Sequence, residues 1–374
     1  MQIVILLAFA ATLTAAQGAP LVPSGWPLAA LAPAYPLVAM LLARRAGRSA
    51  VAAAGTNRRN FWMAALHLFL PLGSVALVEV GYGELVEHLL KIGGLADWPL
   101  IEAAGLLLPF TAALVLAWTQ EYPSFVLLHK GAGNSRFSLG DYLAFNLRHH
   151  YLFIAAPVAV ALLVRGLLLL VILRWMGASQ WAEAAEVGSM VVVAGMLFLV
   201  APAMIVRIWR THPLEAGPLR VQLEQVGGVL GLRFRRILVW ETGGMISNAG
   251  VMGLIAPIRY VLLTDALLTG MNERQVQAVF AHEAGHVVGH HIFFSALFLV
   301  GTSLVVGVAG TWAGMASGCP VEFVEPAILG ALLVVWALGF GYVRPLIVSK
   351  LKYLFPRHTL MIVLPNGLNE NEGK

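Results

Sequence analysis

The sequence predicts a mainly α-helical, multi-span membrane protein that carries one small α/β domain. Three observations predict it. Of 374 residues, 59% are apolar and only 11% charged, against roughly 45 to 50% and about 25% in soluble domains. Mean hydropathy is +0.81. The apolar residues fall into runs of membrane-crossing length, and one connection of about 80 residues between two such runs has a mixed, polar texture. A single cysteine, Cys319, excludes a disulfide framework, a cysteine zinc finger and an iron–sulfur protein.

The runs lie near 26–43, 61–80, 99–118, 151–174, 188–208, 292–312 and 327–346, each suited to cross about 30 Å of hydrocarbon as a helix. Met1 to Ala16 is read as a further membrane helix, because a cleavable signal begins with a positive segment and no Lys or Arg precedes Arg44. Glu102 and Arg165 fall inside spans and are expected to pair, offsetting each other's desolvation.

Orientation follows from the Lys and Arg of alternate connections. One set carries Arg44, Arg45, Arg48, Arg58 and Arg59, then Lys130, Arg136 and Arg148, then seven residues from Arg210 to Arg274, then Lys350, Lys352, Arg357 and Lys374. The other set (81–98, 175–187 and 313–326) holds only Lys91, with Arg174 at a span edge. Both termini and the segment 209–291 are therefore expected on the cytoplasmic side. The surplus of five positive charges and the pI near 9.5 are explained by this topology and by anionic head groups, so no nucleic-acid partner is implied.

The connection 209–291 is expected to be the soluble domain. Pro218 to Leu230 has amphipathic helical spacing, while RILVWE (Arg236 to Glu241) and RYVLLT (Arg259 to Thr264) read as short strands. Gly243, Gly244, Asn248 and Gly250 mark turns between them. Asn272 with Gln275 three residues on forms a capping-box signature for a helix through Val276, Val279 and Phe280.

That helix holds His282, Glu283 and His286 in the pattern HExxH. Residues four apart lie on one helical face, about 6 Å along the axis, so both imidazoles can converge on one zinc ion. Glu283 falls beside the metal, placed to take a proton from an activated water and pass it to a leaving amine. With 11 His in the chain, one such pattern arises by chance with a probability of about 0.01. His290, about 12 Å along the same helix axis from His282, is too far to join the site. It and His291 are read as interface histidines.

NAGVMG (Asn248 to Gly253), RYVLLTDALL (Arg259 to Leu268) and AVFAHEAGHVVGHH (Ala278 to His291), followed directly by a membrane span, together resemble the integral-membrane zinc endopeptidases of the HtpX and CaaX prenyl protease type, the gluzincin peptidase family M48. The resemblance covers roughly 219–343. It implies a zinc cofactor held by His282 and His286, catalysis by Glu283, a protein or peptide substrate, and an edge strand at Asn248 and Ala249 that lays out the substrate by main-chain pairing.

The family's third zinc ligand is a Glu in an ExxxD motif on a later helix, and here it is missing. FGYV (Phe340 to Val343) looks like the approach to it, yet after Glu283 the only acidic residues are Glu322, Glu325, Glu370 and Glu372, with no Asp after Asp265. Glu322 and Glu325 fall in an outer connection by the topology above, and Glu370, Glu372 or His358 would need a tail path back. A truncated or frame-altered gene, or true divergence, would each end the resemblance at Val343.

The chain is thus divided into a multi-span region 1–208, a zincin-like domain 209–291, two membrane helices within 292–346 and an atypical tail 347–374. The expected function is a membrane-embedded zinc metalloendopeptidase acting on membrane-associated or misfolded proteins from the cytoplasmic side. The alternative is a catalytically inactive relative serving as a membrane binding scaffold. An antibiotic-responsive sensor requires a large outer domain that the short outer connections lack, and a transporter leaves HEAGH unexplained.

Overall fold

The computed structural model describes residues 1–16, 32–51, 56–95, 98–128, 138–177, 179–319 and 321–338. Within them the protein is mainly α-helical. Its helices are α1 (Gln2–Ala15), α2 (Ala34–Val51), α3 (Thr56–Leu77), α4 (Gly83–Ile92), α5 (Pro99–Leu128), α6 (Leu139–Asn146), α7 (Leu152–Met176), α8 (Gln180–Ile208), α9 (Pro218–Val229), α10 (Asp265–Gly270), α11 (Glu273–Val288), α12 (His291–Ser317) and α13 (Val321–Leu338). Four short strands, β1 (Thr211–Pro213), β2 (Arg236–Trp240), β3 (Ala249–Met252) and β4 (Tyr260–Thr264), form a sheet in the order β1-β2-β4-β3.

Three helical stretches, Arg58–Ile92, Pro99–Leu127 and Leu139–Met176, are long and apolar enough to cross a bilayer. They match the expected spans at 61–80, 99–118 and 151–174 and extend beyond them. Leu77 to Gly83 shows why. A π-helical turn at Val78–Tyr82, with Gly81 at φ 99°, bends the helix without ending it, so the expected connection from 81 onward begins as helix α4. Likewise Arg44, Arg45 and Arg48, expected in a connection, lie within α2, since arginine favours helix as strongly as leucine does. At 14 residues α1 is about 21 Å long, less than a full crossing, and Ile5, Ala8, Phe9 and Thr12 are buried.

The chain forms two compact units, the first made of 1–212, 238–248 and 264–266, the second of 213–237, 249–263 and 267–374. In the first, Ile5, Phe9, Leu66, Leu70, Phe110, Leu114 and Trp118 make a core among α1, α3 and α5. Polar side chains there pair internally, as Thr12 Oγ1 with Ser74 Oγ at 2.6 Å and Ser124 Oγ donating to Gly47 O at 3.1 Å, which removes the cost of hydroxyls in apolar surroundings. Trp240 Nε1 donates to His149 Nε2 at 2.8 Å, and the Trp240 and Trp209 rings stack with centroids 4.1 Å apart.

In the second unit Leu223, Leu232, Ile237, Ala249, Val261, Leu263, Leu267, Val276, Phe280 and Ala284 form one core. Strand β4 is buried along its whole length, as expected of an apolar run flanked by strands on both sides. Strand β3 pairs antiparallel with β4 in the register Ala249↔Leu263 to Met252↔Tyr260. The expected strands at 236–241 and 259–264 and the helix at 218–230 are present within one residue.

Candidate active site

Helix α11 is built by its own sequence. Asn272 Oδ1 accepts from Gln275 N at 3.0 Å and Gln275 Oε1 accepts from Asn272 N at 3.1 Å, the reciprocal cap expected from the two residue types. Val276, Phe280 and Ala284, four residues apart, are fully buried and turn one face of the helix into the core with Ala249. At 100° per residue, His282 and His286 fall on the opposite face and Glu283 at its border. His282 is exposed, and Glu283 and His286 are half-buried.

The two imidazoles face each other, with Nε2 of His282 and Nε2 of His286 separated by 3.2 Å and ring planes at 90°. Two nitrogens bound at 2.0 to 2.1 Å to one tetrahedral zinc ion stand about 3.3 to 3.4 Å apart, so the pair fits such an ion. The ligand atoms of His282, Glu283 and His286 all lie within 4.8 Å of one another, the one such group among the described residues. Hard and borderline donors of this kind suit zinc.

His290 and His291 stand apart from this group, for a reason different from the one expected. Helix α11 stops at Val288 and His290 takes a left-handed conformation, φ 53°, starting α12. The helical rise expected to separate His290 from His282 therefore does not apply; the break at Gly289 and His290 redirects the chain instead. Helices α12 and α13 cover the expected spans at 292–312 and 327–338. Residues 339–346 and the tail 347–374, with His358, Glu370 and Glu372, lie outside the described residues.

Ala249 sits on β3, which packs against α11. Asn248, immediately before it, is exposed, and its main chain is clamped to Thr264. Thr264 N donates to Asn248 O at 3.0 Å, and Asn248 N donates to Thr264 Oγ1 at 2.9 Å. In an antiparallel ladder bonded pairs alternate, so Gly250 and Met252 bond to β4 while Ala249 and Val251 turn N–H and C=O to the open edge. The turn residues at 243–250 concealed this strand from a reading of propensity.

A further residue escaped that reading altogether. Asp265 accepts from Thr242 Oγ1, from Ala266 N at 2.8 Å and from Gly244 N at 3.1 Å, tying down the loop that leads to Asn248. Burial alone would raise the Asp265 carboxyl, but these hydrogen bonds outweigh it and hold it below the usual carboxylate range. Nothing in the spacing of 242, 244 and 265 announces the contact, since turn formation brings them together.

Comparison with known proteins agrees with this construction. The chain is 31% identical over 202 residues to a protease HtpX homolog of Aeropyrum pernix, covering 48% of this chain and 60% of that one; it thus spans less than two thirds of the relative's length. The crystal structure of S. mikatae Ste24p aligns over 79% of this chain and 74% of its own, with a TM-score of 0.46 and 16% identity. The sequence model of Peptidase family M48 matches residues 213–346, the stretch that holds the HExxH helix, the sheet and the helical hairpin after them, and this part of the chain belongs to that family.

Proposed function

We propose that the protein is a membrane-embedded zinc metalloendopeptidase that hydrolyses peptide bonds of membrane-associated or misfolded proteins, with 209–291 as its catalytic domain facing the cytoplasm. The observation that carries this reading is the pair of exposed-face imidazole nitrogens 3.2 Å apart with the Glu283 carboxylate in the same cluster. His282 and His286 would hold the metal through Nε2. When bound, zinc supplies a Lewis acid that makes water acidic and polarises the scissile carbonyl. Glu283 takes a proton from the attacking water and delivers it to the departing amine. Asn248 and Ala249 begin the strand whose outward main-chain groups at Ala249 and Val251 pair with an extended substrate, aligning the bond to be cut. Membership of 213–346 in peptidase family M48 and likeness to a protease support the hydrolytic chemistry.

The alternative, an inactive scaffold, is favoured by one observation. No ExxxD motif follows the HExxH helix, and catalytic zinc sites normally have three protein ligands. A zinc titration of the purified full chain, joined to a casein cleavage assay, separates the two. The peptidase reading expects one zinc per chain, lost in His282→Ala, and cleavage stopped by a chelator. Absence of both zinc binding and cleavage establishes the scaffold.

A further inference from the structure

The open edge of β3 runs into a positively charged corner of the same unit. Past Met252 the chain turns at Gly253, at φ 108°, where a side-chain Cβ would lie 2.4 Å from Ile258 O. The turn leaves Leu254 and Ile255 39% and 49% exposed. Arg259 fastens it to the segment before β2, donating to Gly253 O at 3.2 Å, to Leu254 O and to Arg233 O at 2.8 Å. Arg235 N donates to Arg259 O at 2.7 Å, and its guanidinium reaches Tyr260 Oη at 3.1 Å, the residue opposite Met252 in the ladder. Arg233, Arg235 and Arg236 are exposed. None of these four arginines has a carboxylate within ion-pair distance among the described residues.

Four like charges around two exposed aliphatic side chains repel one another and attract an anion that carries some apolar surface. We propose that this corner is a specificity subsite for acidic side chains of the polypeptide substrate, a proposal that rests on the reading of β3 as the substrate-pairing edge. Arginine suits carboxylates because its planar donors match both oxygens. Leu254 is five residues beyond Ala249 along the chain, about 17 Å at strand rise. A peptide paired along β3 with its scissile bond near Ala249 therefore carries the favoured Asp or Glu about four to six residues from that bond, on one side only. An anionic membrane surface has the same charge preference, but continuity with the strand edge favours a peptide.

The test uses the full chain in neutral detergent with zinc, and peptides sharing one cleavable core with Glu, Gln or Lys placed at successive positions to either side. The expected result is kcat/KM about tenfold higher for Glu than for Lys at positions four to six on one side, carried by KM. The variant Arg233→Glu/Arg236→Glu should melt at the same temperature and prefer Lys, a reversal that misfolding cannot produce. Equal use of Glu and Lys, or a preference untouched by the charge reversal, overturns the subsite. So does unchanged peptide selectivity accompanied by lost binding to phosphatidylserine vesicles. If the wild-type chain cuts no peptide, the peptidase reading has failed by itself. The corner is then judged by fluorescence anisotropy of the same Glu and Lys peptides, where equal affinity overturns it.

Discussion

At position 283 a one-atom change separates structure from chemistry. Glu283→Gln keeps the shape and the helix but removes the proton acceptor, so cleavage should fall by at least about a hundredfold while zinc stoichiometry is retained. A variant that still cleaves at the wild-type rate would exclude Glu283 as the base. Asp265 makes a different kind of prediction, in stability. Its carboxyl is held low in the folded protein by Thr242, Ala266 and Gly244, so it contributes stability above its unfolded pKa, about 3.9. That contribution is lost as pH falls through the folded value. Asp265→Asn should destabilise by about 1 kcal/mol at pH 7, a figure reduced for partial solvent screening, and the difference from wild type should shrink towards pH 3. Thermal melts in detergent across that range check it, and an equal deficit at pH 3 and pH 7 contradicts it. The two residues also show what spacing can and cannot reveal. His282, Glu283 and His286 were legible because a helix converts separations of one and four into a fixed constellation. Asp265 was not, because its partners lie 21 and 23 positions away and only the folded turn unites them.

Among the elements, α11 depends on its cap. Asn272→Ala leaves the amide of Gln275 without its acceptor and should cost about 1 kcal/mol, measured as a lower melting temperature with little change at the two histidines three turns away. The helical hairpin after it depends on small residues. A Cβ added at Gly310 or Gly314 would come 2.4 Å from Ile328 Cγ1 or 2.5 Å from Val324 Cγ2, and four-residue spacing of small residues lets membrane helices approach closely. Gly314→Leu should force α12 and α13 apart and break the bond from Trp336 Nε1 to Thr302 Oγ1, now 3.0 Å. Trp336 fluorescence should shift, and an unshifted spectrum with normal stability contradicts this packing. Capping and apolar runs are local properties, which is why α11, β2 and β4 were readable. Strand β3 has four residues, one of them glycine, and exists because β4 offers it a ladder. The extents of α2 and of the Arg58–Ile92 helix were misjudged for the complementary reason. The edge of an apolar run marks where lipid ends, and a helix with arginines continues past it into water.

For the whole molecule the positive-charge asymmetry implies an orientation, and the chain carries its own reporter. Cys319 is the only cysteine in the sequence and is exposed, in the connection between α12 and α13. Helix α12 has 27 residues, about 40 Å at helical rise and more than the hydrocarbon thickness. Starting at His291 on the side of the HExxH helix, it should deliver Cys319 to the opposite side. That connection contains no Lys or Arg from 313 to 326, as an exported connection should. A membrane-impermeant maleimide added to intact cells should therefore label the native chain, and Cys319→Ser should abolish the label. Labelling only after permeabilisation would reverse the orientation or show that α12 does not cross. The consequence reaches the metal site. If α12 crosses, Glu322 and Glu325, in the first turns of α13, are a bilayer away from His282 and cannot complete its ligand set. If it does not cross, those two carboxylates return to the same compartment and become the first candidates for the missing third ligand, to be tested by zinc titration of Glu322→Gln and Glu325→Gln.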